Sequence, residues 1–422
     1  MGKLISPVDH PVNAVVRLPG SKSYTNRALV CAALATGTSR VSGALVSDDT
    51  NAMIQALQSL GTRIELDGTD VVVEGGGGTF PVSKAVINCR LSGTTARFMA
   101  PLLTLGHGSF VLDGGASLRL RPMADQFSAL QSLNASITPL GEPGCLPVQI
   151  DADGMAGGWV AIPGDVSSQF LSGLLLAAPC MAKGLKAGLT TSLVSRSYVE
   201  MTLDTMAAFG ANKTHSDDRL YSVPTGGYSA TDYVVEPDAS AASYAFAAAA
   251  ITGGRVQVDG LGSRSRQGDM AFLSVLQQMG CTVDITTDRT TLQGPKELAG
   301  VNADMSDCSD TAQTLAVVAA FASGPTQITG IGFIRAKETD RIQSTVDELV
   351  RCGVDAWVDP DGVGIRPGRA FKPAAIETYH DHRMAMSFAL IGLRVPGIEI
   401  LDPLCVGKTF PGYWDMLDVL AT

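Results

Sequence analysis

The sequence predicts an α/β protein of two domains, each made of three copies of one unit about 70 residues long. Three observations predict it. A polar, turn-like stretch leading into an alanine-rich apolar helix returns six times. The copies start at Ser23 (GSKSYTNRALVCAALA), Thr94 (LSGTTARFMAPLL), Ser167 (GDVSSQFLSGLLLAAP), Ser240 (EPDASAASYAFAAAA), Asp310 (DCSDTAQTLAVVAAF) and Asp381 (YHDHRMAMSFAL), spaced by 71, 73, 73, 70 and 71 residues. Second, five copies contain another, amphipathic helix that ends at a turn residue and runs into a β-like alternation. Third, 422 residues exceed the usual size of one domain, so six units divide naturally into three and three.

The elements follow in order. The N-terminal AVVRLPG reads as a strand that fills a gap in the last repeat, and Gly20 frees the backbone just before the first helix. The second helices are NAMIQALQSL, MADQFSALQSL, EMTLDTMAAF, MAFLSVLQQM and STVDELVRC. Their turn residues Gly61, Asn134, Gly210, Gly280 and Gly353 suit a left-handed cap. DVVVEG, GSFVLDG, TQITGI and IEILDP read as strands. A sixth second helix, GYWDMLDVL, ends the series with no strands after it. The LPG before Ser21 and TDYVVEPDA before Ser240 are the natural crossing points. The expected domains are therefore residues 1–20 with 236–422, and residues 21–235.

Composition excludes several functions. Hydrophobic residues make up 45% and charged residues 17%, which describes a packed globular chain. A net charge of -10 disfavours nucleic acid and anionic membranes as partners. The eight cysteines are scattered without metal-ligand spacing, as expected of thiols in a reducing compartment. MGKLISPVDH has no apolar signal core, and no run reaches the roughly 18 apolar residues of a membrane span. A cytoplasmic location is expected.

The helix starts carry the chemistry. A helix N-terminus offers unpaired N–H groups and partial positive charge, suited to phosphate and carboxylate. Cations accompany these starts: Lys22 with Arg27, Arg97, Arg383, and Lys337 with Arg341 shortly after the fifth. LPGSKSYTNR places Arg27 on the helical face of Ser23, and Gly93 in SGTTARF lets a ligand approach backbone. Pro122 stops the chain just after Arg121, and VSSQF offers two hydroxyls and an amide. In YHDHRMAM, His380 and His382 alternate as ligands on a strand can, but no third ligand cluster accompanies them, so no metal is expected. Small, highly charged anions are the expected ligands.

LPGSKSYTNRAL, SGTTARF, LRLRP, DVSSQF, LVSRSY, QGDM, KETDR, HDHRMAM and VGKTFPGYW stand in this order along the chain. In that order and spacing it resembles the 5-enolpyruvylshikimate-3-phosphate synthase family over essentially its whole length. The resemblance implies two domains of three βαβαββ units, the enolpyruvyl transferase fold with its inverse α/β barrel-like domains, and an active site in the cleft between them. It also implies transfer of the enolpyruvyl group of phosphoenolpyruvate to the 5-hydroxyl of shikimate 3-phosphate. Carried over by position, Lys22, Ser23, Arg27, Ser167, Ser168, Gln169, Ser195, Asp310 and Lys337 are expected at shikimate 3-phosphate. Lys22, Gly93, Arg121, Gln169, Arg341, Arg383 and Lys408 are expected at phosphoenolpyruvate, which is also where the herbicide glyphosate binds in this family. Asp310 and Glu338 are expected as the catalytic carboxylates, with Lys22 and His382 beside them.

Two positions depart from the family pattern. Phe333 stands where many relatives have Asn, which removes one polar contact to the shikimate phosphate, and Phe98 stands where Pro or Leu is frequent. No metal or organic cofactor is implied, because phosphoenolpyruvate carries its own leaving group. Partners are the two small substrates, with no nucleic acid or membrane, and the chain is expected to act as a monomer. The sister transferase acting on UDP-N-acetylglucosamine carries a Cys in a GCxxGxRP loop, whereas this chain reads GGASLRLRP. A non-catalytic anion-binding repeat protein would have lost the carboxylates or lysines, and all are present.

Overall fold

The computed structural model describes residues 2–211, 215–217, 219–366 and 370–422. The alternation expected just after Gly210 falls largely at 212–214 and lies outside the described residues. The chain forms two compact units, Met1–Pro19 with Glu236–Thr422, and Gly20–Val235, each with its own hydrophobic core.

One plan recurs in the sheets. In the second repeat Lys84–Asn88 runs parallel to His107–Asp113, which pairs antiparallel with Val148–Asp153, and that strand with Ser136–Pro139. The third and fifth repeats have the same order. A parallel pair needs a crossover, and the apolar helix supplies it: Gly93–Leu103, Ser168–Ala177 and Ala312–Ala319 each join such a pair. These inner helices have no solvent face. Ala239–Thr252 is buried at every position but Ser240, as expected of a helix apolar all round. Small residues let them approach closely. A Cβ on Gly173 would lie 2.4 Å from the carbonyl oxygen of Arg97 in the neighbouring inner helix.

The caps read from sequence form as expected. Gly61, Asn134, Gly210, Gly280 and Gly353 all have φ between 70° and 102°.

The N-terminal segment corrects one expectation. Asn13–Val16, from AVVRLPG, runs parallel to Arg255–Asp259 in the fourth repeat, not beside the last. It is Lys3–Leu4 that pairs with Glu399 and Ile400 of the sixth. The physical reason is that the fourth repeat has no first strand of its own. The chain just before it, Tyr228–Ser229 and Asp232–Val234, is already paired with Ala35–Ser42 of the first repeat.

Candidate active site

In the unit Gly20–Val235, polar side chains link helix starts to one another. Ser21 caps Lys22–Leu34, Ser92 caps Gly93–Leu103 and Ser167 caps Ser168–Ala177, each accepting a backbone N–H of the first turn. Lys22 Nζ lies 3.2 Å from the buried carboxylate of Asp49. Arg27 is buried, and its guanidinium donates to Thr202 Oγ1 and to the carbonyls of Ser23 and Tyr198, all at 2.8 Å. Burial pushes its pKa down to about 10, and its charge faces the Phe98 ring at 5.3 Å. Phe98 is thus a fully buried platform under Arg27. Gln169 reaches from its helix start to Thr94 Oγ1 at 3.2 Å, joining the second and third repeats.

Beside Gly93 two guanidinium groups converge. A Cβ there would meet Arg97 Nη1 at 2.5 Å and Arg121 Nη1 at 3.0 Å. Both arginines are buried. Ser195 precedes the helix Arg196–Ala208 at φ 51°, a left-handed conformation unusual for a residue with a Cβ, and such strain concentrates at functional sites.

In the other unit the organising group is Arg341, buried at the start of the helix Arg341–Arg351. Its Nε donates to Asp381 at 2.7 Å, Nη2 to Glu338 at 2.8 Å, and Nη1 to Asp310 at 3.3 Å. Burial alone would depress its pKa, but Asp381, Glu338 and Asp310 outweigh that and hold it above its ordinary value. Arg383 Nη2 lies 2.5 Å from the second oxygen of Asp310, and Lys408 Nζ 3.7 Å from Glu338. Two carboxylates thus share a ring of three cations. Asp381 caps the helix His382–Gly392 by accepting the Arg383 N–H at 2.9 Å.

Several expectations are refined. KETDR is not part of a helix until Arg341. Residues 337–339 lead in, and Asp340 caps by accepting from the N–H of Ile342 and Gln343. The HDH stretch is not a strand: His380 lies in a turn and His382 opens a helix, buried with its Nδ1 3.5 Å from Asp381. Where an Asn was missing, the Phe333 ring stacks under the Lys337 ammonium at 5.9 Å, a cation–π contact in place of a polar one.

Sequence reasoning passed over Asp49, Asp269 and Asp381 as site residues. Asp381 occupies the same repeat position as Asp310, and that equivalence was the available signal. Asp269, in the QGDM stretch, is buried and hydrogen-bonded to Ser240 at the fourth helix start. Burial, then the nearby Asp310 charge, push its pKa up to about 7.

The chain resembles known proteins in sequence and in fold. The sequence model of EPSP synthase (3-phosphoshikimate 1-carboxyvinyltransferase) matches residues 8–417. The chain is 46% identical over 413 residues to the 3-phosphoshikimate 1-carboxyvinyltransferase of Nostoc punctiforme, covering 97% of each chain. It is 42% identical to the chloroplastic enzyme of Brassica napus, covering 96% of this chain and 83% of that one. A solved structure of EPSP synthase from Acinetobacter baumannii superposes with a TM-score of 0.82 at 29% identity, covering 98% of this chain and 97% of that one.

Proposed function

The chain belongs to the EPSP synthase family, and from that premise we propose that it transfers the enolpyruvyl group of phosphoenolpyruvate to the 5-hydroxyl of shikimate 3-phosphate, releasing phosphate. One observation carries the assignment of chemistry: Asp310 and Glu338, two carboxylates ahead of the two helices of the fifth repeat, are held on the single buried guanidinium of Arg341. Addition removes the hydroxyl proton and places one on the methylene carbon; elimination takes a proton back from the resulting methyl group as the C–O bond to phosphate breaks. Two positioned carboxyl groups suffice. Asp310 accepts the hydroxyl proton and Glu338 exchanges protons with the carbon. The anions of the substrate compete for Arg341 and Lys408, which would leave Glu338 free to carry a proton.

Each substrate bears a phosphate and a carboxylate, so their approach needs cations to offset repulsion, and arginine adds bidentate geometry. Lys22, Ser23, Arg27, Ser167, Ser168, Gln169, Ser195 and Lys337 are assigned to shikimate 3-phosphate. Gly93, Arg121, Arg341, Arg383 and Lys408, with Lys22 and Gln169, are assigned to phosphoenolpyruvate. Arg27 is given the supporting share, since its donors hold Tyr198 and Thr202 in place. His382, buried against Asp381, is read as a support of that carboxylate. The chain is read as acting as a monomer, and eight free cysteines fit the reducing cytoplasm. No helix among the described residues is long and apolar enough to cross a membrane.

The test is phosphate release. It should require both substrates together and persist in EDTA, and UDP-N-acetylglucosamine should not replace shikimate 3-phosphate. Strong turnover with that nucleotide sugar would overturn the reading.

A further inference from the structure

The turn that delivers Asp381 is held in a conformation its residues disfavour. Tyr379 and His380 stand at φ 54° and 56°, in the left-handed region that residues with a Cβ visit rarely and then singly. Two in succession need an external hold. Among the described residues the exposed His380 ring reaches only Asp402, at 3.3 Å. The hold on Tyr379 is Glu348, whose side chain is wholly buried. Its carboxylate accepts the Tyr379 hydroxyl at 2.8 Å, the Glu377 N–H at 3.2 Å and Arg351 Nε at 3.0 Å. The turn is then closed by the Asp381 N–H donating to the Thr378 carbonyl at 2.8 Å.

Glu348 follows Arg341 by seven residues on the same helix, two turns on and therefore on the same face. That helix grips the segment 377–381 at two points, Glu348 on Tyr379 and Glu377, and Arg341 on Asp381. A buried carboxylate is a costly way to pack a turn when an apolar side chain of similar volume would serve. It is a good way to fix one register.

We propose that Glu348 and Tyr379 are positioning residues for catalysis. By holding the 379–380 step left-handed they fix the Asp381 carboxylate, and through it the guanidinium of Arg341 and the helix start that carries Arg383. This rests on the reading of Arg341 and Arg383 as ligands of phosphoenolpyruvate.

Tyr379→Phe removes one hydrogen bond and keeps the ring. It should raise KM for phosphoenolpyruvate roughly tenfold, the size of one hydrogen bond to a charged group. KM for shikimate 3-phosphate and kcat should change much less. Adding His380→Gly should restore most of the loss, because glycine adopts positive φ without strain. A residue that only packs the turn would lower the melting temperature in both variants and leave the KM split and the rescue absent. A second readout needs no turnover. In unliganded protein labelled at arginine, the Nε–H of Arg341 should exchange with solvent several-fold faster in Tyr379→Phe. Faster exchange without any dependence on phosphoenolpyruvate in either protein would uphold the positioning and sink the assigned reaction. Unchanged exchange would overturn the positioning itself.

Discussion

Gly93→Ala places one methyl group into the gap beside two guanidinium groups. The new carbon would sit 2.5 Å from Arg97 Nη1, 3.0 Å from Arg121 Nη1 and 3.1 Å from Arg121 Cζ. Ordinary contact begins near ~3.5 Å, so the Arg97 tip must retreat by about 1 Å and that of Arg121 by about half as much. Both are ends of flexible side chains, and alanine is a good helix former, so the fold should survive with little change in melting temperature. Binding should not. A charge-assisted hydrogen bond is worth about 1.5–3 kcal/mol, and pushing the assigned ligand Arg121 out of line by about half an ångström forfeits about half of it. KM for phosphoenolpyruvate should rise roughly 3- to 10-fold. Glyphosate, longer than the substrate it displaces, should be weakened further, so its inhibition constant divided by that KM increases. The assay is phosphate release at saturating shikimate 3-phosphate with phosphoenolpyruvate and glyphosate varied. An unchanged KM and an unchanged ratio would show that this helix start does not line the phosphoenolpyruvate site.

Two further outcomes follow from the carboxylates. Glu338→Gln and Asp310→Asn keep shape but lose proton transfer, so kcat should fall roughly 100- to 10,000-fold while shikimate 3-phosphate still binds to Glu338→Gln; a fall below about tenfold would remove Glu338 from the acid–base role. Asp269 has a folded pKa raised from 3.8 to about 7, so the folded state binds its proton more tightly than the unfolded chain. Its stability contribution is complete below about pH 4 and lost as pH rises towards 7, by on the order of 4 kcal/mol. The melting temperature of Asp269→Asn should therefore gain on the parent protein across that window, and a constant difference between the two would contradict the shift.

What could be read from the chain divides along a physical line. The repeat, the inner helices and the five left-handed caps depend on local pattern, and each formed where the residues placed it. The destination of Asn13–Val16 depends on a partner 242 positions away, and nothing in AVVRLPG distinguishes the fourth repeat from the sixth. The same limit hid Asp49, Asp269 and Asp381. An acid in a helix start reads as a cap, and only tertiary packing reveals that Asp381 also grips Arg341. Arg27 was legible as a cation on the face of Ser23, but its bonds to Tyr198 and Thr202 needed the third repeat in place.

The borrowed strands order events during synthesis. The unit Gly20–Val235 carries its own first strand at Tyr228–Val234, so it is complete once residue 235 has been made. The residues translated before it must wait. Asn13–Val16 has no partner until Arg255–Asp259 emerges, and Lys3–Leu4 none until Glu399 and Ile400. A nascent chain thus holds a finished domain with a short, unpaired strand at its front, and edges of that kind invite pairing with other chains. Asn13 and Arg17, polar residues flanking Ala14–Val16, keep the waiting segment from being wholly apolar. The second unit can close only when Lys3–Leu4 meets Glu399 and Ile400, so a segment made before Gly20–Val235 finds its place after it.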